Sequence, residues 1–398
     1  MTRIIHTGDT HLGYQQYHEP TRRADFLDAF RQVIDDAVAE DVDAVVHAGD
    51  LFHDRKPGLQ DILGTLDVLR TLEDADIPFL AIVGNHETKR DAQWLDLFES
   101  LGLATRLGRE PVRVGNTAFY GLDFVPRSKR EHIEYDFESH DADHAALVAH
   151  GLFQPFDHGD WDAAVVLSEA SVDFDAMLLG DDHEPKRTQI EGAWVTYCGS
   201  TERASASERE DRGYNLVTFD GAVDIRRRGL PTREFVFVDV ELGEGEGYQR
   251  VRERIEQHDL DGAVVIVAID GDGEPITPAE LETVALDGGA LVARVNDRRE
   301  IETTQDVSVS FADPDDAVRE RIRDLGLSPA ARDLDETIRA SKVADSKVAD
   351  TVEQRVADIV DEAGEGAFEN ASESADGDAT AAGGGGSGDG QATMEEYL

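Results

Sequence analysis

A layered α/β fold is the class that the sequence predicts, and three observations carry the prediction. Up to about residue 230, short β-branched runs alternate with longer amphipathic stretches, as at Ala44 to His47, Phe79 to Val83, Ala146 to Ala149 and Ala176 to Leu179. Runs of that length, bounded by polar and glycine-rich turns, fit strands of a buried sheet. Between them, the stretch from Arg22 to Glu40 sets Phe26, Phe30, Val33, Ile34 and Ala37 at helical spacing, which marks a helix with one core-facing stripe. From about Glu234 the order changes to strand (Phe235 to Leu242), helix, strand (Val264 to Ile269), helix and strand (Leu291 to Val295), a small α+β module.

The boundaries expected from these patterns are 1–230 for the main domain and 234–300 for the smaller module. A helical segment follows at 314–361, where Val318, Ile322, Leu325, Leu334, Ile338, Val348, Val352, Val356 and Ile359 form apolar stripes with no further domain left to cover them. Residues 362–390 are rich in Gly, Ala, Ser, Asp and Glu, so they cannot offset the entropy of ordering and read as a disordered acidic linker. A short tail remains at 391–398.

Thirty-eight basic residues face 85 acidic ones, a formal charge of −47. Affinity for nucleic acid comes largely from basic groups that displace counterions, so such a field opposes DNA at modest salt. Either the partner is not DNA, or the protein works near molar salt, where the Debye length falls to about 3 Å. Acidic residues spread through every folded-looking segment, scarce Lys and abundant Ala and Val favour the second reading and resemble proteins of salt-accumulating halophiles. Cys198 is the single cysteine, which excludes an intrachain disulfide and a cysteine-built zinc site. The opening residues enter a strand-like segment (Arg3 to Thr7) with no basic and apolar leader, and no apolar run approaches a membrane span. A cytoplasmic protein in a high-salt cytoplasm, with no membrane partner, is expected.

Five clusters of hard metal ligands each follow an apolar run: Asp9 and His11, Asp50, Asn85 and His86, His150, and Asp181 with His183. The carboxyl ends of strands in a layered α/β domain converge on one edge, so groups remote in sequence can meet there. Each cluster alone is weak, because a histidine after a strand is more often a satisfied loop residue than a ligand. Together they form an ordered set of carboxylate, imidazole and amide oxygen donors, suited to Mn²⁺ or a related hard ion. Two such ions would clamp a phosphodiester and make hydroxide available near neutral pH.

The segments Gly8-Asp-Thr-His-Leu-Gly13, Gly49-Asp-Leu-Phe-His53, Gly84-Asn-His-Glu87, the strand ending at His150, and Gly180-Asp-Asp-His183 resemble the calcineurin-like metallophosphoesterases. With Tyr197-Cys-Gly-Ser-Thr-Glu-Arg203 and the domain order, they resemble more narrowly the Mre11 and SbcD repair nucleases, over roughly the first 300 residues. The resemblance implies a layered β-sandwich flanked by helices, a DNA-facing cap at 234–300 and an ATPase-binding helical extension. It implies a nuclease subunit of a double-strand-break repair complex that holds two Mn²⁺ ions, with Mg²⁺ as the alternative. Asp9, His11 and His183 would bind the first metal, Asp50 would bridge, and Asn85 and His150 would bind the second. His86 would act on the phosphate as a catalytic group, and His53 would orient the DNA backbone or the scissile phosphate.

One position departs from the pattern: the last motif of the family usually reads Gly-His-x-His, and Asp181 replaces its first histidine. Either Asp181 or Asp182 supplies the second-metal ligand, or that site is weak. A carboxylate there should favour Mn²⁺ or Mg²⁺ over softer ions.

The resemblance further implies 3′ to 5′ exonuclease action on duplex ends and endonuclease action on single strands and hairpins. Access would be gated by a coiled-coil ABC-type ATPase of the Rad50 or SbcC kind bound at 314–361. A homodimer would form through the segments near Leu59 to Leu72 and Asp91 to Leu101. In the tail, Gln391, Met394 and Tyr397 resemble a sliding-clamp docking peptide; an unstructured end with two apolar residues is the plainer reading. Arg22, Arg23, Lys56, Lys89, Arg90, Arg127, Lys129, Arg130 and Lys186 lie near the motifs as candidate phosphate contacts, with a solvated basic face the equal alternative. Two rivals stand beside the nuclease: a non-catalytic scaffold that tethers DNA ends, and a phosphodiesterase for small nucleotides.

Overall fold

The continuous apolar runs of the first 230 residues become strands covered on both faces. Ile4, Ala44, Val46, Ala146, Val148, Ala176 and Leu178 point into one core, while their neighbours Ile5, Val45, Leu147, Ala149, Met177 and Leu179 point into two others. A strand buried on both sides needs no polar alternation, which explains why these segments read as unbroken hydrophobic runs. The computed structural model describes residues 1–89 and 92–299, together with Val356.

Two six-stranded sheets pack face to face. In the first the order is Ala222–Gly229, Gly213–Asp220, Thr2–Thr7, Ala44–His47, Phe79–Ala81 and Thr105–Arg106; in the second it is Lys186–Ile190, Ala193–Tyr197, Ala176–Gly180, His144–His150, Thr117–Leu122 and Val112–Val114. The central strands run parallel, Thr2–Thr7 beside Ala44–His47 beside Phe79–Ala81, and Thr117–Leu122 beside His144–His150 beside Ala176–Gly180. Ile4, Val46, Leu80, Phe119, Val148, Leu178, Val217 and Phe219 fill the space between the sheets.

Helix Pro20–Ala39 covers the outer face of the first sheet. Pro20 at its first turn and the Glu19 side chain accepting from Thr21 N–H start it, and Phe26, Phe30, Val33, Ile34 and Ala37 are buried, as the spacing predicts. Helices Leu59–Asp74 and Trp94–Ser100 complete that layer. The observed architecture is therefore a helix-flanked β-sandwich.

A separate parallel sheet, Phe235–Leu242, Val264–Gly271 and Val292–Asp297, carries helices Tyr248–Ile255 and Pro278–Asp287 on one face around Val238, Val240, Val251, Ile255, Val267, Ile269 and Leu281. Its other face presents Phe235, Val264, Ile266 and Val292, with Tyr17 and Ala206 of the preceding residues packed against them. Residues 1–89 and 92–299 fall within one compact unit, Met1–Thr303. Among the described residues no helix is long and apolar enough to cross a membrane. The expected helical segment 314–361 (Val356 apart), the linker 362–390 and the tail peptide with Gln391, Met394 and Tyr397 lie outside the described residues.

Several of the cations read as phosphate contacts are engaged inside the protein. Arg22 is fully buried: its guanidinium donates to Gln16 Oε1 (3.0 Å), Asp25 Oδ2 (2.6 Å), Glu202 Oε1 (3.2 Å) and the Arg203 carbonyl (2.9 Å). Arg23 forms a two-point pair with Asp61, Arg130 pairs with Asp160, and Lys186 pairs with Asp182 and Glu184. Arg90 lies outside the described residues. Lys56, Lys89, Arg127 and Lys129 remain as the candidates of that set.

Removing Arg22 leaves Glu202 without its buried counter-charge and Asp25 with Arg233 alone. Arg22→Ala is expected to cost about 3–5 kcal/mol of stability, read as a lower midpoint of urea unfolding in molar KCl. Lys56→Ala should stay within about 0.5 kcal/mol of the native chain.

Candidate metal centre

The parallel strands of the two sheets end at one edge, and the loops that leave them meet there. Thr2–Thr7 delivers Asp9 and His11, Ala44–His47 delivers Asp50, Phe79–Ala81 delivers Asn85 and His86, His144–His150 ends on His150, and Ala176–Gly180 delivers Asp181 and His183. Asp9, His11, Asp50 and Asp181 all sit at positive φ (48°, 44°, 56° and 92°), a region that side-chain-bearing residues rarely occupy. Held strain of this kind gathers at functional sites, where the surroundings over-determine the backbone. Gly84 shows how tightly the loops pack, since a Cβ there would run into the Asp50 carboxylate and backbone. At Gly49, φ is +91° and a Cβ would meet the His150 ring.

Three overlapping groups of possible ligands result, the third being His11 with His53 and His86. Within the first, ligand atoms of Asp9, His11 and His183 lie within 4.8 Å of one another; within the second, those of Asp9, Asp50 and His150 do. Asp50 Oδ2 stands 3.9 Å from His11 Nε2 and 3.5 Å from His150 Nε2, so it lies between the first two groups. Asn85 Oδ1 is 2.9 Å from His150 Nε2, and Asp181 Oδ1 is 3.8 Å from the same atom. Asp181 therefore faces the cluster, whereas Asp182 Oδ2 is held by the Lys186 ammonium at 2.7 Å. The structure brings together the residues singled out from the sequence as ligands.

His86 and His53 complete the rim. The His86 ring lies 4.9 Å from that of His11 and 5.1 Å from that of His53, and Tyr14 stacks on His53 at 3.9 Å with an interplanar angle of 24°. His86 N–H donates to Asp50 Oδ1 (3.0 Å) and its Nδ1 bonds the His53 carbonyl (2.8 Å), which leaves Nε2 for chemistry.

The ring hydrogen bonds also prepare the ligands. His150 Nδ1–H donates to the Ala48 carbonyl (2.8 Å) and His183 Nδ1–H to Glu208 Oε1 (2.7 Å), so the Nε2 lone pair of each is presented to the cluster. His11 Nε2 and His183 Nε2 stand 3.0 Å apart, a meeting of two basic nitrogens that calls for a proton or a cation among them. The charges say the same. Burial pushes the Asp9 carboxyl up to about 7, and burial also raises Asp181. Burial opposes charge on Asp50 as well, yet His150, His86 and His11 hold it well below the usual carboxylate range. Burial works against protonated His150 and His183, but Asp50 raises the first and Glu208 lifts the second to about 9. Oxygen and imidazole donors that draw protons in this way suit two divalent cations, which would take the place of those protons.

Two groups were not legible as functional in the sequence. Glu87 is buried and accepts from Leu51 N–H (3.2 Å), Phe52 N–H (3.3 Å) and Gly84 N–H (3.3 Å), which ties the Asp50 loop to the Asn85 loop. Glu208, 25 residues beyond His183, fixes that histidine's ring and is itself held by Ala204 N–H and Arg212. No spacing rule links a glutamate in a distant loop to a histidine ligand.

The calcineurin-like phosphoesterase family model matches residues 2–185. A DNA double-strand break repair protein Mre11 from Haloferax volcanii is 65% identical over 363 residues, covering 90% of this chain and 82% of that protein. The chain belongs to the Mre11 family. The Mre11 protein of Halobacterium salinarum is 61% identical over 369 residues, covering 91% of this chain and 95% of its own length. That of Methanosarcina acetivorans is 46% identical over 373 residues, covering 90% and 61%. Similarity to Mre11 proteins thus extends well past the phosphoesterase segment.

The metal-free site has a pH signature. His183, raised to about 9, contributes stability that is fully present below pH 6.5 and lost as the pH rises through 9; Asp9 and Glu87, pushed up to about 7, lose theirs earlier with the same sign. Chelator-treated protein should therefore melt at a lower temperature at pH 9 than at pH 6.5. Saturating Mn²⁺ should remove that fall, since a cation competes with the same protons; a rising melting temperature in the chelated protein would refute the assignment.

Proposed function

We propose that this chain is the nuclease subunit of a DNA double-strand-break repair complex and hydrolyses DNA phosphodiesters at a two-metal centre. The observation that carries the reading is the meeting of Asp9, His11, Asp50, Asn85, His150, Asp181 and His183 at one sheet edge with His86 beside them. Asp9, His11 and His183 would hold the first ion, Asp50 would serve both, and Asn85, His150 and Asp181 would hold the second, with Mn²⁺ the ion best suited and Mg²⁺ the alternative. Two bound ions supply Lewis acidity to the phosphodiester and lower the pKa of an attacking water.

The chain's own groups do the rest. Glu208 and the Ala48 carbonyl orient two imidazole ligands before any ion arrives, so little reorganisation is left to binding. The His86 ring stands 4.9 Å from that of His11, placed to stabilise charge on the phosphate or to protonate the leaving oxygen. Tyr14, stacked on His53, keeps that imidazole at the rim, where it orients the DNA backbone. Beside it a depression of about 410 Å³, lined by Tyr14, Arg23, His53 and Lys56, offers room for backbone next to the scissile phosphate.

The three-stranded module is the DNA-facing cap of this reading, and an ABC-type ATPase of the Rad50 kind is its partner, gating 3′ to 5′ exonuclease action on duplex ends and endonuclease action on single strands and hairpins. Leu59, Leu63, Leu97 and Leu101 are exposed on helices Leu59–Asp74 and Trp94–Ser100 and just past the latter, and they suit a homodimer contact. The high-salt cytoplasm accounts for a nuclease so rich in carboxylates. A small-nucleotide phosphodiesterase does not require similarity that extends over 363 residues to DNA repair proteins.

The test is cleavage of a labelled duplex and a labelled hairpin in molar KCl with Mn²⁺, with and without the ATPase. The native chain should cut and His86→Ser should not, with assembly unchanged; absence of cleavage in every mixture would leave an end-tethering scaffold. A second expectation concerns the metal. Asp181→His should raise activity with Co²⁺ or Zn²⁺ relative to Mn²⁺, because imidazole suits softer ions better than carboxylate does. An unchanged ratio would show that Asp181 does not govern ion choice.

A further inference from the structure

The loop Ala204–Arg212 touches two things at once. On one side Glu208 Oε1 accepts from His183 Nδ1–H at 2.7 Å, while Arg212 donates to the His183 carbonyl (2.9 Å) and to Glu208 Oε2 (3.4 Å). On the other side the same loop lies on the three-stranded module. Ala206 packs against the cluster of Phe235, Val264, Ile266 and Val292. Arg209, the residue after Glu208, forms a two-point ion pair with Asp239 at 2.6 Å for both contacts, and its guanidinium lies 4.8 Å from the Phe237 ring centre. Arg203, just before the loop, stands over the Phe235 ring at 5.4 Å and donates to the Glu208 carbonyl at 3.1 Å. Phe235, Phe237 and Asp239 alternate along one strand and so point to one face, the face that meets this loop.

We propose that the loop Ala204–Arg212 couples the three-stranded module to the metal centre, with Glu208 as the positioning residue for His183 and Arg209 as the anchor on Asp239. Adjacent residues of one short loop hold opposite ends of the connection, so a shift of the module drags Arg209 and alters the place of Glu208. The hydrogen bond at His183 Nδ1 sets the direction of the Nε2 lone pair, and a ring turned by a few degrees is a poorer ligand. The module has a second fastening that does not reach the site: Arg233 pairs with Asp25 through both nitrogens, and Arg22 lies over Phe235. It keeps the module attached when the Arg209 contact is broken. The coupling thus makes metal binding depend on where the module sits.

This inference rests on the reading of His183 as a metal ligand, and the experiment separates the two. Mn²⁺ is titrated into the full chain in molar KCl, and free ion is read by electron paramagnetic resonance for the native protein, His183→Ala, Glu208→Gln, Arg209→Asp, Asp239→Arg and the Arg209→Asp/Asp239→Arg pair. Glu208→Gln should weaken one site by about 10- to 100-fold. Each single charge reversal should weaken the same site by about 5-fold or more, and the exchanged pair should recover most of the loss. A loss in His183→Ala and Glu208→Gln with native binding in both single reversals would overturn the coupling. Native binding in Glu208→Gln would overturn its positioning role, and native binding in His183→Ala would overturn the ligand assignment beneath both. If a reversal does not fold, Arg209→Gln, at a half-exposed position, decides by the same readout.

Discussion

Asp9 and Asp50 are buried within a few ångströms of one another, with Asp181 beside them, and such carboxylates cannot all remain ionised away from water unless positive charge is supplied. Most of the structure answers to that constraint. Strands covered on both faces bring the loops to one edge. Left-handed backbone at Asp9, His11, Asp50 and Asp181 turns the side chains inward. His11, His150 and His183 bring three imidazoles into the same space. Protons on the histidines, or a divalent pair, would meet that demand.

The surface obeys a different rule. With 85 acidic residues against 38 basic ones, a cation is the scarce resource, and several arginines serve inside the protein, as Arg22, Arg212 and Arg233 do. Screening in molar salt shortens the reach of the surrounding carboxylates to about 3 Å. Contact-distance pairs such as Arg209 with Asp239 depend less on long-range fields than on geometry. A nuclease of this charge approaches DNA by contact, with little steering from afar.

What could be read from the sequence, and what could not, follows from locality. Each ligand motif sits directly after an apolar run, and the sheet edge then does the assembly, so Asp9, His11, Asp50, Asn85, His150, Asp181 and His183 were legible together. Which of Asp181 and Asp182 faces the cluster was not, because Lys186 draws Asp182 away. Neither a phosphate contact nor a solvated face describes Arg22, because nothing local announces that Gln16, Asp25 and Glu202 surround it. Glu87 and Glu208 act through backbone amides and an imidazole reached only in three dimensions.

A positioning carboxylate in a loop, unlike one on a strand, can answer to whatever else holds the loop. Linkage then works in both directions: if the place of the three-stranded module changes affinity for the ion, ion loading must bias the place of the module by the same factor. A partner that grips the module would thereby alter the site without touching a ligand, and could do so only to the extent that it binds the two arrangements differently. The part-buried Arg233–Asp25 fastening limits how far the module can travel, which keeps the available displacement small. Small displacements are enough for coordination, because an imidazole tolerates little misdirection of its lone pair.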